Sequence, residues 1–146
     1  MVGDLHELLQ NRLLNSLKLT SDLFESIGNT ELTLKIKDSP SNTIGEQAWC
    51  IIGARESYLT AVENEKWVGF SCSLRNTNDI KEIRNKLNSS YENASRIIQR
   101  SVISILRSDF LFQLLEHEVQ HHGQLIRYFY TNRLKFPRSW NERYTV

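Results

Sequence analysis

Residues 80–98 read IKEIRNKLNSSYENASRII, and the apolar members Ile80, Ile83, Leu87, Tyr91, Ala94, Ile97 and Ile98 fall at steps of 3, 4, 4, 3, 3 and 1. A helix turns ~100° per residue, so these steps stack on one face as a continuous buried stripe. Asn78-Asp79 just ahead supplies a polar cap and an acidic first turn, which suit the positive end of a helix. Three further stretches repeat the period. From about Asp4 to Ile27, Leu5, Leu8, Leu9, Leu13, Leu17, Leu23, Phe24 and Ile27 recur at threes and fours, with Gly28-Asn29 as the expected stop. From Thr43, a T-x-x-E capping-box spacing (Thr43, Glu46) leads into Ala48, Ile51, Ile52, Tyr58, Leu59 and Val62. From Ser108-Asp109 to about Asn132, the inward set is Phe110, Leu111, Leu114, Leu115, Leu125, Ile126 and Phe129.

Two long connections, Asn29 to Asn42 and Asn64 to Thr77, and a short turn near Leu106–Arg107 join these stretches. The alternation in Leu32-Thr33-Leu34-Lys35-Ile36-Lys37 has no second run to pair with, so it is expected to be an extended loop. The expected fold is all-α: a four-helix bundle with long loops after helices 1 and 2, one domain over residues 1–146. Only six Gly and two Pro occur in the chain, so turns are scarce, which disfavours a many-stranded sandwich.

Eighteen basic against seventeen acidic residues leave a net charge of +1, too weak a field for an electrostatic grip on nucleic acid or an acidic membrane. The N-terminus lacks a basic segment followed by an apolar one, and the purest apolar run, Ala48 to Ala54, is far below the ~20 residues of a membrane span. Two cysteines, Cys50 and Cys72, are too few for a disulfide scaffold. The expectation is a cytoplasmic protein with reduced thiols.

Three of the four histidines, His117, His121 and His122, fall within six residues of the last helix. His117 and His121 are ~40° apart and one turn removed, so their rings project to one side and can share a metal ion. Leu114, Gln124 and Tyr128 continue that stripe, which is expected to face the interior with Gln124 beside the ligands. His122, rotated ~100° from His121, is expected at a flank or interface, and His6 at the surface. Gly123 costs roughly 1 kcal/mol inside a helix, which suggests that something approaches the backbone there. The alternative is two ordinary half-buried histidines.

The same residues spell H-E-x-x-H, in which Glu118 would be the general base of a zinc peptidase. The metzincin extension fails, because its Gly and His positions hold Gln124 and Arg127, and the only carboxylate after His121 is Glu142 in the tail.

The run from Leu115 to Leu125, LEHEVQHHGQL, resembles the last-helix motif of the DinB/YfiT-like superfamily of four-helix-bundle metalloproteins, down to the Gly-Gln and the aromatic Tyr128-Phe129-Tyr130 that follow. The segment from Thr43 to Tyr58, TIGEQAWCIIGARESY, is similar to that family's S/T-I-G-E-Q-x-x-H-I-x-G-A-R-E, and Phe136-Pro137-Arg138-Ser139-Trp140 to its tails. The resemblance implies a divalent metal held by one residue of the second helix and two of the fourth, frequent homodimers, and in some members chemistry on low-molecular-weight thiols. His117 and His121 carry over as ligands. Where the family has its third histidine this chain has Cys50. A Cys50 thiolate favours zinc over harder ions such as manganese, with nickel also compatible, and lowers the charge of the complex relative to three imidazoles.

Three readings follow. The first is a metal-dependent enzyme, a transferase or hydrolase acting on a small molecule such as a low-molecular-weight thiol, with Glu118 and Gln124 as candidate catalytic or supporting residues. The second is a non-catalytic dimeric scaffold whose site has decayed, with Cys50 as a small buried filler. The third is the peptidase. The aromatic loop Trp67-Val68-Gly69-Phe70 is a candidate cap of the site mouth or a dimer contact.

Overall fold

The computed structural model describes residues 2–100 and 104–146. Among them are six helices and no strand: α1 (Val2–Glu25), α2 (Asn29–Leu32), α3 (Ile44–Asn64), α4 (Ile80–Arg100), α5 (Ile105–Thr131) and α6 (Arg138–Tyr144). The four long helices contact one another in a ring, with α3 against α5 and α4, and α1 against α4 and α5. None is long and apolar enough to cross a membrane. Both cysteines are free.

Local chemistry sets the ends. The Thr43 hydroxyl accepts the Glu46 amide at 3.1 Å, so the cap read from the T-x-x-E spacing forms. Asp79 does the same for α4, its carboxylate accepting from the amides of Lys81 and Glu82. The Ile80 amide is taken by the Asn29 side chain, which reaches over from α2. Gly28 is not the stop expected for α1. That helix ends at Glu25, and the Arg84 guanidinium of α4 takes the carbonyls of Phe24, Glu25 and Ile27. Gly28 is extended, its amide held by Glu31. Helix α5 starts before Ser108: Ser104 caps it by accepting the Arg107 amide, so Leu106–Arg107 is helical. The connection expected to be loop from Asn29 to Asn42 instead begins with the one-turn helix α2, so Leu32 is helical and not extended; the rest is loop, tied to α3 where the Ile44 amide meets the Leu34 carbonyl and where Gln47 donates to Asn42.

The apolar face of α1 is buried from Leu9 onward, but Leu5 and Leu8 are exposed. The tail forms α6, a helix missing from the sequence reading. Seven residues carry too little periodicity to register, and α6 is held by Trp140, which is fully buried and donates its indole N–H to the Leu19 carbonyl at 2.6 Å.

The apolar core is divided into two clusters. One gathers Leu23, Phe24, Ile51, Ile83, Phe129 and Trp140; the other gathers Leu13, Leu59, Val62, Ala94 and Leu114. Between them lies a polar layer centred on Arg55 and Glu118, both fully buried.

Gly45 marks a tight approach between α3 and the end of the loop from α3 to α4. A Cβ there would sit 1.9 Å from the Thr77 carbonyl oxygen. That oxygen is backbone and cannot swing aside, so Gly45→Ala is expected to destabilise the fold by about 2–3 kcal/mol, measured as a lowered urea midpoint with an unchanged slope.

Candidate metal centre

On α3, Cys50 lies ~60° round the helix from Gln47 and on the side that faces α5. His117 and His121 project from α5 toward it. The ligand atoms of Cys50, His117 and His121 all lie within 4.8 Å of one another. His117 Nε2 is 3.7 Å from Cys50 Sγ and 3.3 Å from His121 Nε2. A tetrahedral zinc with ordinary bond lengths has S–N edges of about 3.6 Å and N–N edges of about 3.3 Å. The three groups therefore fit one metal ion, held between α3 and α5. Cys50 and His117 are half-buried and His121 is buried, so the centre sits at the edge of the core, with one side open to solvent.

Supporting contacts orient one ligand closely. His121 Nδ1–H donates to Gln47 Oε1 at 2.6 Å, leaving the Nε2 lone pair for the centre. Gln47 donates in turn to Asn42 Oδ1 at 3.0 Å, and the Tyr128 hydroxyl donates to the Asn42 carbonyl at 2.8 Å. The His117 Nδ1 atom is buried with no hydrogen-bond partner among the described residues. Burial, reinforced by the charge His117 would carry, lowers the His121 pKa to about 4, and burial also lowers that of His117. Both imidazoles are thus neutral at pH 7, the form that binds metal. Burial pushes the Cys50 thiol up, so it holds its proton until a cation displaces it.

Glu118 does not face this centre. It is one residue on from His117, hence ~100° round the helix, and its carboxylate lies in the core. It accepts from Arg55 through both of its oxygens, Nε to Oε2 at 3.3 Å and Nη2 to Oε1, and from the Thr20 hydroxyl at 2.5 Å. Burial alone would raise its pKa, but the Arg55 guanidinium beside it holds the carboxyl below its ordinary range. A carboxylate tied in this way is not positioned as a general base for the Cys50–His117–His121 group. Gln124, expected on the interior stripe, is exposed: it lies ~60° from His121 on the solvent side. Gly123 is not crowded. Among the described residues nothing lies within 4 Å of where its Cβ would be, and nothing in the structure explains it.

His122 is fully buried instead of lying at a flank. It follows Glu118 by four residues and so shares the core-facing side of α5. Its Nε2–H donates to Thr20 Oγ1 at 2.7 Å, and its Nδ1 accepts from the Tyr144 hydroxyl of α6 at 2.6 Å. Burial lowers its pKa to about 4. Arg55, Thr20, Gln47 and His122 were not assigned roles by motif. One signal was available: Arg55 sits four residues after Ile51 and four before Leu59, inside the apolar stripe, where a cation must find partners.

The aromatic loop packs along the outer face of α3. Phe70 lies against Trp49 with centroids 5.1 Å apart, and Trp67 against Tyr58 at 5.0 Å. Phe70 reaches the backbone at Gly53, where an added Cβ would fall 2.2 Å from its ring. The Cys72 thiol bonds the Trp49 carbonyl at 3.2 Å, so this loop borders the peptide that carries Cys50.

No protein-family model matches the chain, and no curated protein matches it.

Proposed function

We propose that this chain is a zinc-dependent enzyme on a four-helix bundle of the DinB/YfiT-like kind, acting in the cytoplasm as a homodimer on a small molecule such as a low-molecular-weight thiol. The observation that carries the reading is the convergence of Cys50 Sγ, His117 Nε2 and His121 Nε2 at separations that match two edges of a zinc tetrahedron. One thiolate and two imidazoles suit zinc better than manganese, which prefers oxygen ligands. A zinc ion held by three protein ligands supplies a Lewis acid with one position open to substrate. The chain's own part is to fix the donors. Gln47 sets the tautomer and ring angle of His121, and the half-exposure of Cys50 and His117 leaves the open side reachable. The peptidase reading loses its base to Arg55, and the scaffold reading is the outcome if no metal binds.

Metal analysis of tag-free protein tests this. About one equivalent of zinc is expected, absent in His117→Ala and in Cys50→Ala. Retention of zinc by Cys50→Ala would remove the thiolate from the ligand set, and a wild-type protein that ignores added zinc would leave the decayed scaffold. Loss of the supporting bond should be graded: Gln47→Leu is expected to weaken zinc binding ten- to a hundredfold without unfolding the chain, read by competition with a chromogenic chelator.

A further inference from the structure

Two grooves run along α1 on the side of α5 away from the Cys–His centre, and they meet. One, of about 330 Å³, is apolar, lined by Leu5, Leu8, Leu9, Phe112 and Leu115. The other, of about 530 Å³, lies between α1, α5 and α6, with Leu19 and Val119 on its floor and Arg12, Lys18 and Arg143 around it. Arg12 and Leu115 line both, so the apolar groove and the cationic one adjoin at these two residues.

We propose that these joined grooves bind a single-chain amphiphilic anion, an alkyl carboxylate whose chain lies on Leu5, Leu8, Leu9 and Phe112 and whose head meets Arg12, Lys18 and Arg143. Charge supports the head position. Arg12, Lys18 and Arg143 form no ion pair among the described residues, although Lys18 and Asp22 are one turn apart on α1. Of the two carboxylates in the groove, Glu142 is paired with Arg138 at 2.8 Å, and Asp22 accepts from the Ser139 hydroxyl at 2.7 Å. Arg143 stacks on the Tyr144 ring at 4.8 Å, a contact that leaves its positive charge uncompensated. Three cations thus face a single unpaired carboxylate, in a chain whose whole net charge is +1.

Apolar exposure supports the tail position. Leu5, Leu8 and Phe112 are 70%, 52% and 51% exposed, which costs solvation free energy unless something covers them. From Leu5 to Arg12 the helix rises about 10 Å, the length of an extended chain of about eight carbons. Both volumes lie in or near the range of small-molecule sites, roughly 300–1,000 Å³. A neutral alkane chain would waste the cations, and a bare inorganic anion would leave the leucines wet; the two compartments together select a ligand with both parts.

Titration calorimetry and amide chemical-shift mapping on the full chain test the proposal with hexanoate, octanoate, 1-octanol, octylammonium, inorganic phosphate and phosphatidylglycerol vesicles. Octanoate is expected to shift the amides of Leu8, Arg12 and Leu115, and to bind several-fold more tightly than hexanoate, at two- to fourfold per added methylene. It should also bind more tightly than 1-octanol, octylammonium or phosphate. The double variant Arg12→Gln/Arg143→Gln should lose at least tenfold for octanoate and keep its affinity for 1-octanol, while Phe112→Gln should flatten the chain-length dependence. Both alter exposed side chains, and an unchanged melting temperature would show that the fold is intact. Equal binding of octanoate and 1-octanol, an octanoate affinity indifferent to the double variant, or shifts located elsewhere would overturn the proposal. So would cosedimentation with the vesicles in the absence of octanoate binding, which would assign the surface to a membrane.

Discussion

Arg55→Met is expected to lower the stability of the protein by about 3–5 kcal/mol, the usual result of removing one partner from a buried ion pair. Arg55 extends from α3 into the polar layer and spends all five of its N–H donors there. Two go to Glu118 on α5, two to the Leu87 carbonyl and Ser90 hydroxyl of α4, and one to the Leu17 carbonyl of α1. One side chain thus bonds to each of the other long helices. Without it, Glu118 remains fully buried with only Thr20 as a donor, and must either stay charged in the core or take up a proton at neutral pH. The backbone carbonyls of Leu17 and Leu87 lose a partner as well. The double variant Arg55→Met/Glu118→Leu removes charge and counter-charge together and is expected to recover much of the loss, so the two single effects will not add. Urea unfolding of the four proteins measures this. A loss under 1 kcal/mol in Arg55→Met would mean that the layer is solvated and that the pair is not a structural centre.

Trp140→Ala is expected to cost a similar amount, about 3–5 kcal/mol, by opening a cavity at the seat of α6. Trp140 is fully buried, its indole N–H is bonded to the Leu19 carbonyl, and its ring lies 4.7 Å from His122 and 5.4 Å from Tyr144. Helix α6 has only seven residues, too few to be stable alone, so its order depends on this anchor. Loss of the anchor should free the Tyr144 hydroxyl from His122 and bring the α6 amides to rapid hydrogen exchange while α3 stays protected. Trp140→Phe keeps most of the packing and gives up the hydrogen bond, and should lose about 1–2 kcal/mol. Zinc content should survive in Trp140→Phe, since the Cys–His group lies on the far side of α5 from α6.

The helices were legible because their signals are local. The 3–4 steps of Ile80 to Ile98 and the caps at Thr43 and Asp79 depend on residues within a turn of one another, and they read correctly in one dimension. Helix ends that rely on distant partners read poorly. The stop of α1 belongs to Arg84, nearly sixty residues away, and Gly28 was a plausible local substitute. The two histidines one turn apart carry their geometry in their spacing, and the cysteine beside them came from the likeness of two motifs. Their meeting across α3 and α5 could be tested only in three dimensions. On α5 the turn angle alone separated Glu118 and His122 from His117 and His121, but the spacing did not say which pair faces the core. The apolar neighbours Leu114 and Leu125 lie between the two directions.

By itself, the order of residues determined that this chain is helical, where its long helices run, and that His117 and His121 share a face, because each depends on angles repeated within one helix. Only the tertiary structure decided that Arg55 and Glu118 fill the centre, that the Cys–His group sits at the rim, and that a seven-residue helix of the tail is anchored through Trp140. Those outcomes depend on which faces meet: a buried charge goes where other helices supply its partners, and no spacing along a single helix records where those partners are.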